Sequence, residues 1–421
     1  VDTAYRTPYV TRSHTQGAVI GQTGRTMNHF ALPGGAGLDL VRYPVDPRDR
    51  LRAWDASDEY LLQHLAAAEG PLDDLAGGDG RLVVLGDRWG ALTTALAAYE
   101  PVQITDSYLA QRATAENLAR NGRPADGVRL LSSRDEPPAR VDVLLVRVPK
   151  SLALLEDQLL RLAPAVRPGT LVVGTGMVKE IHTSTLELFE RILGPTRTSL
   201  AQRKARLIFC TPDPEVLAAR PADPWPQRYP FPSDVPGLGA PLAGRTVTNH
   251  AGVFSAERLD IGTRFFLEHL PAPADGHHVV DLGCGNGVLG LAASLSAPGA
   301  EVTFVDESFG AVASAEETFR ENADPAAKAR FLVADGAGGL ARGSVDLVLN
   351  NPPFHSYQAS TDATAHRMFA DAKRALRPGG ELWVVGNRHL GYHVRLKRLF
   401  GNCRTVAGNP KFVILRAVRG D

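Results

Sequence analysis

Asn351-Pro352-Pro353-Phe354 brings together the residue types needed to activate an exocyclic amine on a planar ring. Such an amine is a poor nucleophile, because its lone pair is delocalised into the ring. Two acceptors, the Asn351 side-chain oxygen and the Pro352 carbonyl, can hold its hydrogens. They then favour a pyramidal nitrogen and stabilise the positive charge that develops on it. Pro352 and Pro353 stiffen the loop and keep both acceptors aimed. Phe354 can stack on the base. A base paired in a helix would have to be flipped out to reach such a loop. The surplus proton can leave to water, so no strong general base is required, and the neighbouring His355 is read as structural or RNA-contacting.

A loop with this task must sit beside the group that reacts with the amine, and the elements before it are those of a cofactor fold. Val345 to Asn350 reads as a strand, and in an open α/β sheet ligands lie beyond the carboxyl ends of the strands. His278 to Leu282 reads as a first strand, followed by Gly283, Gly285 and Gly287 and by a helix from Val288. Glycines at this turn allow positive φ and a close ligand. The next strand, Glu301 to Val305, ends in Asp306, 19 residues after Gly287, where a carboxylate can accept both ribose hydroxyls. Gly285, Gly287 and Gly290 also fit a dinucleotide fingerprint. Two residues favour S-adenosylmethionine over a nicotinamide dinucleotide. Asp281 ends the first strand, where it can meet an ammonium or sulfonium group. Asp335 ends a third strand (Phe331 to Ala334), placed to accept from an adenine amine.

Short β-type runs alternate with helical stretches over most of the 421 residues, the pattern of parallel sheets covered by helices. The two halves repeat one unit. VLGDRWGAL (84–92) matches DLGCGNGVL (281–289), Asp106 matches Asp306, and VDVLLVRVPKS (141–151) matches VDLVLNNPPFH (345–355). The fold expected is therefore two tandem doubly wound Rossmann-like class I methyltransferase domains, the N-terminal one degenerate. In that half Val84 replaces Asp281, Arg88 replaces Gly285, Arg147 replaces Asn351 and Lys150 replaces Phe354. It should be catalytically dead and hold substrate through Lys150, Arg147 and Arg203-Lys204-Ala205-Arg206. Residues 1–36 are read as a flexible tail, with Met27 a candidate start. Residues 37–210 are the degenerate domain, 211–242 (nine prolines) a linker, and 243–421 the catalytic domain.

Bulk properties bound the partners. Formal charge is zero, so any nucleic acid must be held by local basic clusters, such as those between Arg388 and Arg398. Three scattered cysteines fit a reducing cytosol and no metal site. Neither a membrane span nor a signal peptide is read.

From about Leu38 onward the chain resembles the large-subunit ribosomal RNA guanine-N2 methyltransferase G family, a relative of the C family of methyltransferases that act on guanine N2 in small-subunit rRNA. In the first half the resemblance rests on AWDASDEYLLQ (53–63), VPKSLALLEDQL (148–159) and HTSTLELFERILGPT (182–196). In the second it rests on LDIGTRFF (259–266), VDLGCGNGVLGL (280–291), NPPFH (351–355) and NRHLGYHVRLKRLFGNC (387–403). The resemblance implies methyl transfer from S-adenosylmethionine to a guanine N2 of 23S rRNA, acting on protein-free RNA. It implies cofactor contacts from Asp281, Gly283, Gly285, Gly287, Asp306 and Asp335, and catalysis at Asn351, Pro352, Pro353 and Phe354. A monomer in the cytoplasm is expected. The same reaction on 16S rRNA, methylation of an adenine or a protein glutamine, and a non-enzymatic RNA-binding role stay open as alternatives.

Overall fold

A computed structural model describes residues 28–46, 49–67, 81–123, 125–353 and 358–421. The chain divides into two compact units near Ala222. The first holds β1 (His29–Ala31), β2 (Gly37–Asp39), α1 (Ala56–Ala67), β3 (Leu82–Leu85), α2 (Ala91–Ala95), β4 (Val102–Thr105), α3 (Tyr108–Arg120) and β5 (Arg129–Ser132). It continues with β6 (Val143–Arg147), α4 (Leu152–Leu162), β7 (Leu171–Met177), α5 (Thr183–Ile192), β8 (Thr196–Thr198), β9 (Ala205–Cys210) and α6 (Pro214–Ala219).

The second unit holds β10 (Gln227–Pro230), β11 (Thr246–Asn249), α7 (Ile261–Leu267), β12 (His278–Leu282), α8 (Val288–Ser296), β13 (Glu301–Asp306) and α9 (Phe309–Asn322). After it come β14 (Lys328–Val333), β15 (Val345–Asn350), α10 (Gln358–Ala375), β16 (Leu376–Asn387), α11 (Tyr392–Phe400), β17 (Arg404–Gly408) and β18 (Phe412–Val418).

Each unit is built on a seven-stranded sheet, and the two orders are the same. They run β5-β4-β3-β6-β7-β9-β8 and β14-β13-β12-β15-β16-β18-β17. Five parallel strands end in an antiparallel pair. In the second sheet Val279, Phe304 and Leu349 face one apolar cluster, and Val280, Val305 and Val348 face another. Burial on both faces explains why these strands read as continuous apolar runs rather than as alternating ones. The first sheet divides its side chains in the same way.

Two boundaries differ from those read in the sequence. Residues 1–27 lie outside the described residues, but the expected tail does not run to 36. β1 and β2 pair antiparallel, and Phe30, 1% exposed, packs on Trp54 with ring centroids 5.0 Å apart. Phe30 and Leu32 are buried with Ala31 exposed between them, but alanine and Pro33 give no polar alternation in the sequence, and the run is too short to register as a strand signal.

The proline-rich stretch is likewise not only a linker. β10 pairs with β11, and Phe231, Val235, Leu238 and Leu242 enter the core of the second unit. Proline density removes backbone donors, yet the apolar residues between the prolines still bury.

Candidate active site

β12 runs between β13 and β15 at the centre of the second sheet, so the turn after it opens at the carboxyl edge, where the strand order reverses. The three turn glycines do different work there. At Gly287, φ is +78° and an added Cβ would lie 2.8 Å from the Ala315 Cβ, so this glycine lets α8 and α9 approach each other. At Gly283, φ is +73° and a Cβ would meet the Met368 side chain at 3.1 Å. Gly285, at φ +52°, has nothing within 4 Å of its Cβ position and faces open space. The turn is held from both sides. Asp306 Oδ2 accepts from Gly285 N–H at 3.0 Å, and Asn286 Nδ2 donates to Asn249 Oδ1 at 2.9 Å. Asn249 ends β11, so the segment after the prolines buttresses the glycine turn.

Asp281 is fully buried. Its Oδ2 accepts from Gly290 N–H at 2.9 Å, but its Oδ1 is buried with no hydrogen-bond partner among the described residues. Burial pushes its carboxyl up to about 8 against the capping amide, with the nearby Asp306 adding to the rise. Asp306 is also raised, chiefly by desolvation, and its Oδ1 accepts from Ser308 N–H at 3.1 Å. Asp335 lies two residues past β14, with Arg367 Nη2 3.8 Å from its Oδ1.

Asn350 and Asn351 close β15. Asn350 is fully buried and donates through Nδ2 to Leu282 O at 2.6 Å, tying β15 to β12. Asn351 donates through Nδ2 to Thr263 Oγ1 at 3.0 Å. The Oδ1 atoms of both asparagines, and that of Asn387 at the end of β16, are buried with no hydrogen-bond partner among the described residues. Pro352 is buried and Pro353 exposed. Phe354 and His355 lie outside the described residues. The carboxyl edge of the sheet thus gathers buried acceptors that no protein donor among the described residues satisfies. A polar atom in that state costs about 1–3 kcal/mol until a donor arrives, so such an edge suits a ligand rich in N–H groups or positive charge.

Sequence reading missed Thr263, Asn350, Asn387 and Asn249. Isolated asparagines and threonines carry no spacing signal; only a fold that brings β11, α7 and β16 beside β15 and the turn makes them visible.

The first unit pairs its β3 and β6 in the same register as β12 and β15. Leu85 pairs with Val146 as Leu282 pairs with Asn350, so Arg147 stands where Asn351 stands in the second. Arg147 is not a surface charge available to a substrate, as the sequence suggested. It is 1% exposed and donates to Asp55 at 2.6 Å and Glu180 at 3.2 Å, with Asp58 3.4 Å away. Arg88, in the position of Gly285, is 3.0 Å from Glu180 and 3.6 Å from Asp55. Val84, in the position of Asp281, joins the apolar core. The helix-capping carboxylate is supplied instead by Asp87, which accepts from Gly90 N–H and from both Thr93 N–H and Oγ–H. Lys150, Arg203 and Lys204 are exposed.

Comparison with known proteins agrees with this division. A family model described as the RLMG N-terminal domain matches residues 27–214, and one described as the methyltransferase small domain matches 244–416. A protein of Streptomyces griseus named ribosomal RNA large subunit methyltransferase G is 68% identical over 394 residues, covering 93% of this chain and all of its own. One of the same name from Aeromonas salmonicida is 47% identical, covering 91% of this chain and 97% of its own. Among solved structures, the T. thermophilus 16S rRNA N2 G1207 methyltransferase, in complex with AdoMet and guanosine, superposes with a TM-score of 0.67. At 22% identity over 93% of this chain and 98% of that one, it shares the fold.

Proposed function

The chain belongs to the ribosomal RNA large subunit methyltransferase G family, and on that premise we propose that it methylates the exocyclic N2 amine of a guanine in 23S rRNA with S-adenosylmethionine. The observation that carries the reading is Asn351 Oδ1, a buried acceptor at the end of β15 with no hydrogen-bond partner among the described residues. Guanine offers N–H donors at both N1 and N2, which suits an edge where Asn350 and Asn387 add further open acceptors.

The residues present fit the cofactor. Asp281 Oδ1 is a spare buried acceptor suited to a cationic group, and Gly285 leaves space beside it. In this reading Asp281 takes the positively charged end, Asp306 the ribose hydroxyls and Asp335 the adenine amine, with Gly283, Gly285 and Gly287 shaping the turn. When bound, S-adenosylmethionine supplies an electrophilic methyl group on sulfonium. Asn351 Oδ1 and the Pro352 carbonyl accept the two amine hydrogens, which localises the nitrogen lone pair and stabilises the charge it acquires. Pro352 and Pro353 restrict the loop, and Phe354 stacks on the base. The proton then leaves to water, and no side chain has to act as a strong base.

Catalysis is assigned to residues 243–421. Residues 37–210 serve to hold RNA, supported by exposed Lys150, Arg203 and Lys204; within the second unit, the basic residues of α11 are a separate RNA contact. The acceptor is protein-free 23S rRNA, and the enzyme works as a monomer in the cytoplasm, where that RNA is made.

The test is mass-spectrometric mapping of N2-methylguanosine in rRNA from cells with and without the gene. Loss of one modified guanine in 23S rRNA is expected. Loss from 16S rRNA alone would reassign the substrate, and unchanged rRNA would overturn the reading.

A further inference from the structure

The orientation of the Asn351 amide is set from outside the loop. Asp260 caps α7, its Oδ2 accepting from Thr263 N–H at 2.8 Å and lying 3.4 Å from Thr263 Oγ1. A carboxylate has no proton to give, so the Thr263 hydroxyl donates to Asp260. Its remaining lone pairs accept from Asn351 Nδ2 at 3.0 Å. Thr263 is 7% exposed, so water does not compete freely for these bonds. With Nδ2 committed to Thr263, Asn351 Oδ1 faces the other way, buried and open.

The first unit makes the same connection in ionic form. There the residue closing the fourth strand, Arg147, reaches Asp55 just before α1 and Asp58 three residues on, the positions of Asp260 and Thr263. A link between the end of the fourth strand and the start of this helix is thus built into both copies.

We propose that Thr263, backed by Asp260, is the positioning residue that keeps the carbonyl end of the Asn351 amide turned toward the acceptor amine. The proposal rests on the role given to Asn351 above. Without the hydroxyl, the amide is free to turn its NH2 end toward the substrate, where it would repel the amine hydrogens. Thr263→Val keeps shape and removes the hydroxyl; Thr263→Ser keeps the hydroxyl.

The experiment is single-turnover methylation of 23S rRNA transcript by the full chain, with cofactor affinity by calorimetry and melting temperature alongside. For Thr263→Val, the rate constant should fall about tenfold, the worth of one buried hydrogen bond at the upper end. Cofactor Kd and melting temperature should hold, and Thr263→Ser should recover the rate. In an Asn351→Ala background, adding Thr263→Val should cost nothing more. A wild-type rate in Thr263→Val, or an equal loss in both backgrounds, overturns the positioning role while leaving Asn351 in place. Full activity in Asn351→Ala alone would instead remove the reading on which the proposal rests.

Discussion

At the end of β6 the Arg147 guanidinium is buried among Asp55, Asp58 and Glu180; at the end of β15 Asn351 and its neighbours present acceptors with no donor among the described residues. Both sheets have the same strand order, and both bury carboxylates around the same turn. The difference lies in the source of the positive charge. In the first unit it is part of the chain. Even so, burial keeps the Asp58 carboxyl up at about 7 against the pull of Arg147. In the second unit no cation among the described residues offsets the burial of Asp281, which rises to about 8. The first unit thus supplies from its own chain the positive charge that the second leaves to come from elsewhere.

Four changes would break or sharpen this comparison. Gly285→Arg copies Arg88 into the second turn, where φ is already +52°. It should abolish cofactor binding, and calorimetry showing normal affinity would mean that the turn is not the site. The unmodified chain should bind one cofactor per chain; a stoichiometry of two would contradict the closed first unit.

Arg147→Ala removes the cation beside Asp58 and leaves buried carboxylates unpaired. It should cost about 3–5 kcal/mol of first-unit stability, read by urea unfolding through tryptophan fluorescence, with cofactor affinity in the second unit unchanged.

Asn351→Ala deletes one acceptor and should lower kcat by about 10²–10³-fold while cofactor Kd stays within a few fold. A parallel loss of binding would reassign Asn351 to the cofactor.

The smallest effect is on pH. Asp281 has its folded pKa raised to about 8, above its unfolded value. Its contribution to stability is therefore fully present below about pH 4 and is lost as pH rises through about 8. A cationic ligand needs the ionised carboxylate, so cofactor affinity should strengthen over the same rise. Asp281→Asn should flatten both slopes above the range where Asp58 titrates. If the slopes persist in Asp281→Asn, they belong to other groups.

Much of this was legible in the residues because it is local. β12 and β15 span the residues read as strands, His278–Leu282 and Val345–Asn350, and α8 starts at Val288 as the glycine turn requires. The replacements at Val84, Arg88 and Arg147 could be read by aligning one half on the other. The site residues in the second unit could be ordered because strand ends, glycines and acids follow one another at fixed intervals. Thr263 escaped, because 88 positions separate it from the amide it holds. The proline-rich segment escaped as well, because proline content describes the backbone and is silent about where Phe231 and Leu242 bury.

The sequence by itself determined the duplicated α/β pattern, the order of the acidic and glycine positions, and which copy carries Asn351-Pro352-Pro353-Phe354. These follow from periodicity and spacing, which need only the chain. Only the tertiary structure decided that Arg147 is an internal counter-ion rather than a surface charge, and that Gly285 faces open space while Gly287 serves packing. It also turned the Asn351 amide, through Thr263, toward the open side. Each of these depends on which distant side chain removes water or supplies a partner, and that is set when strands and helices far apart in the chain pack together.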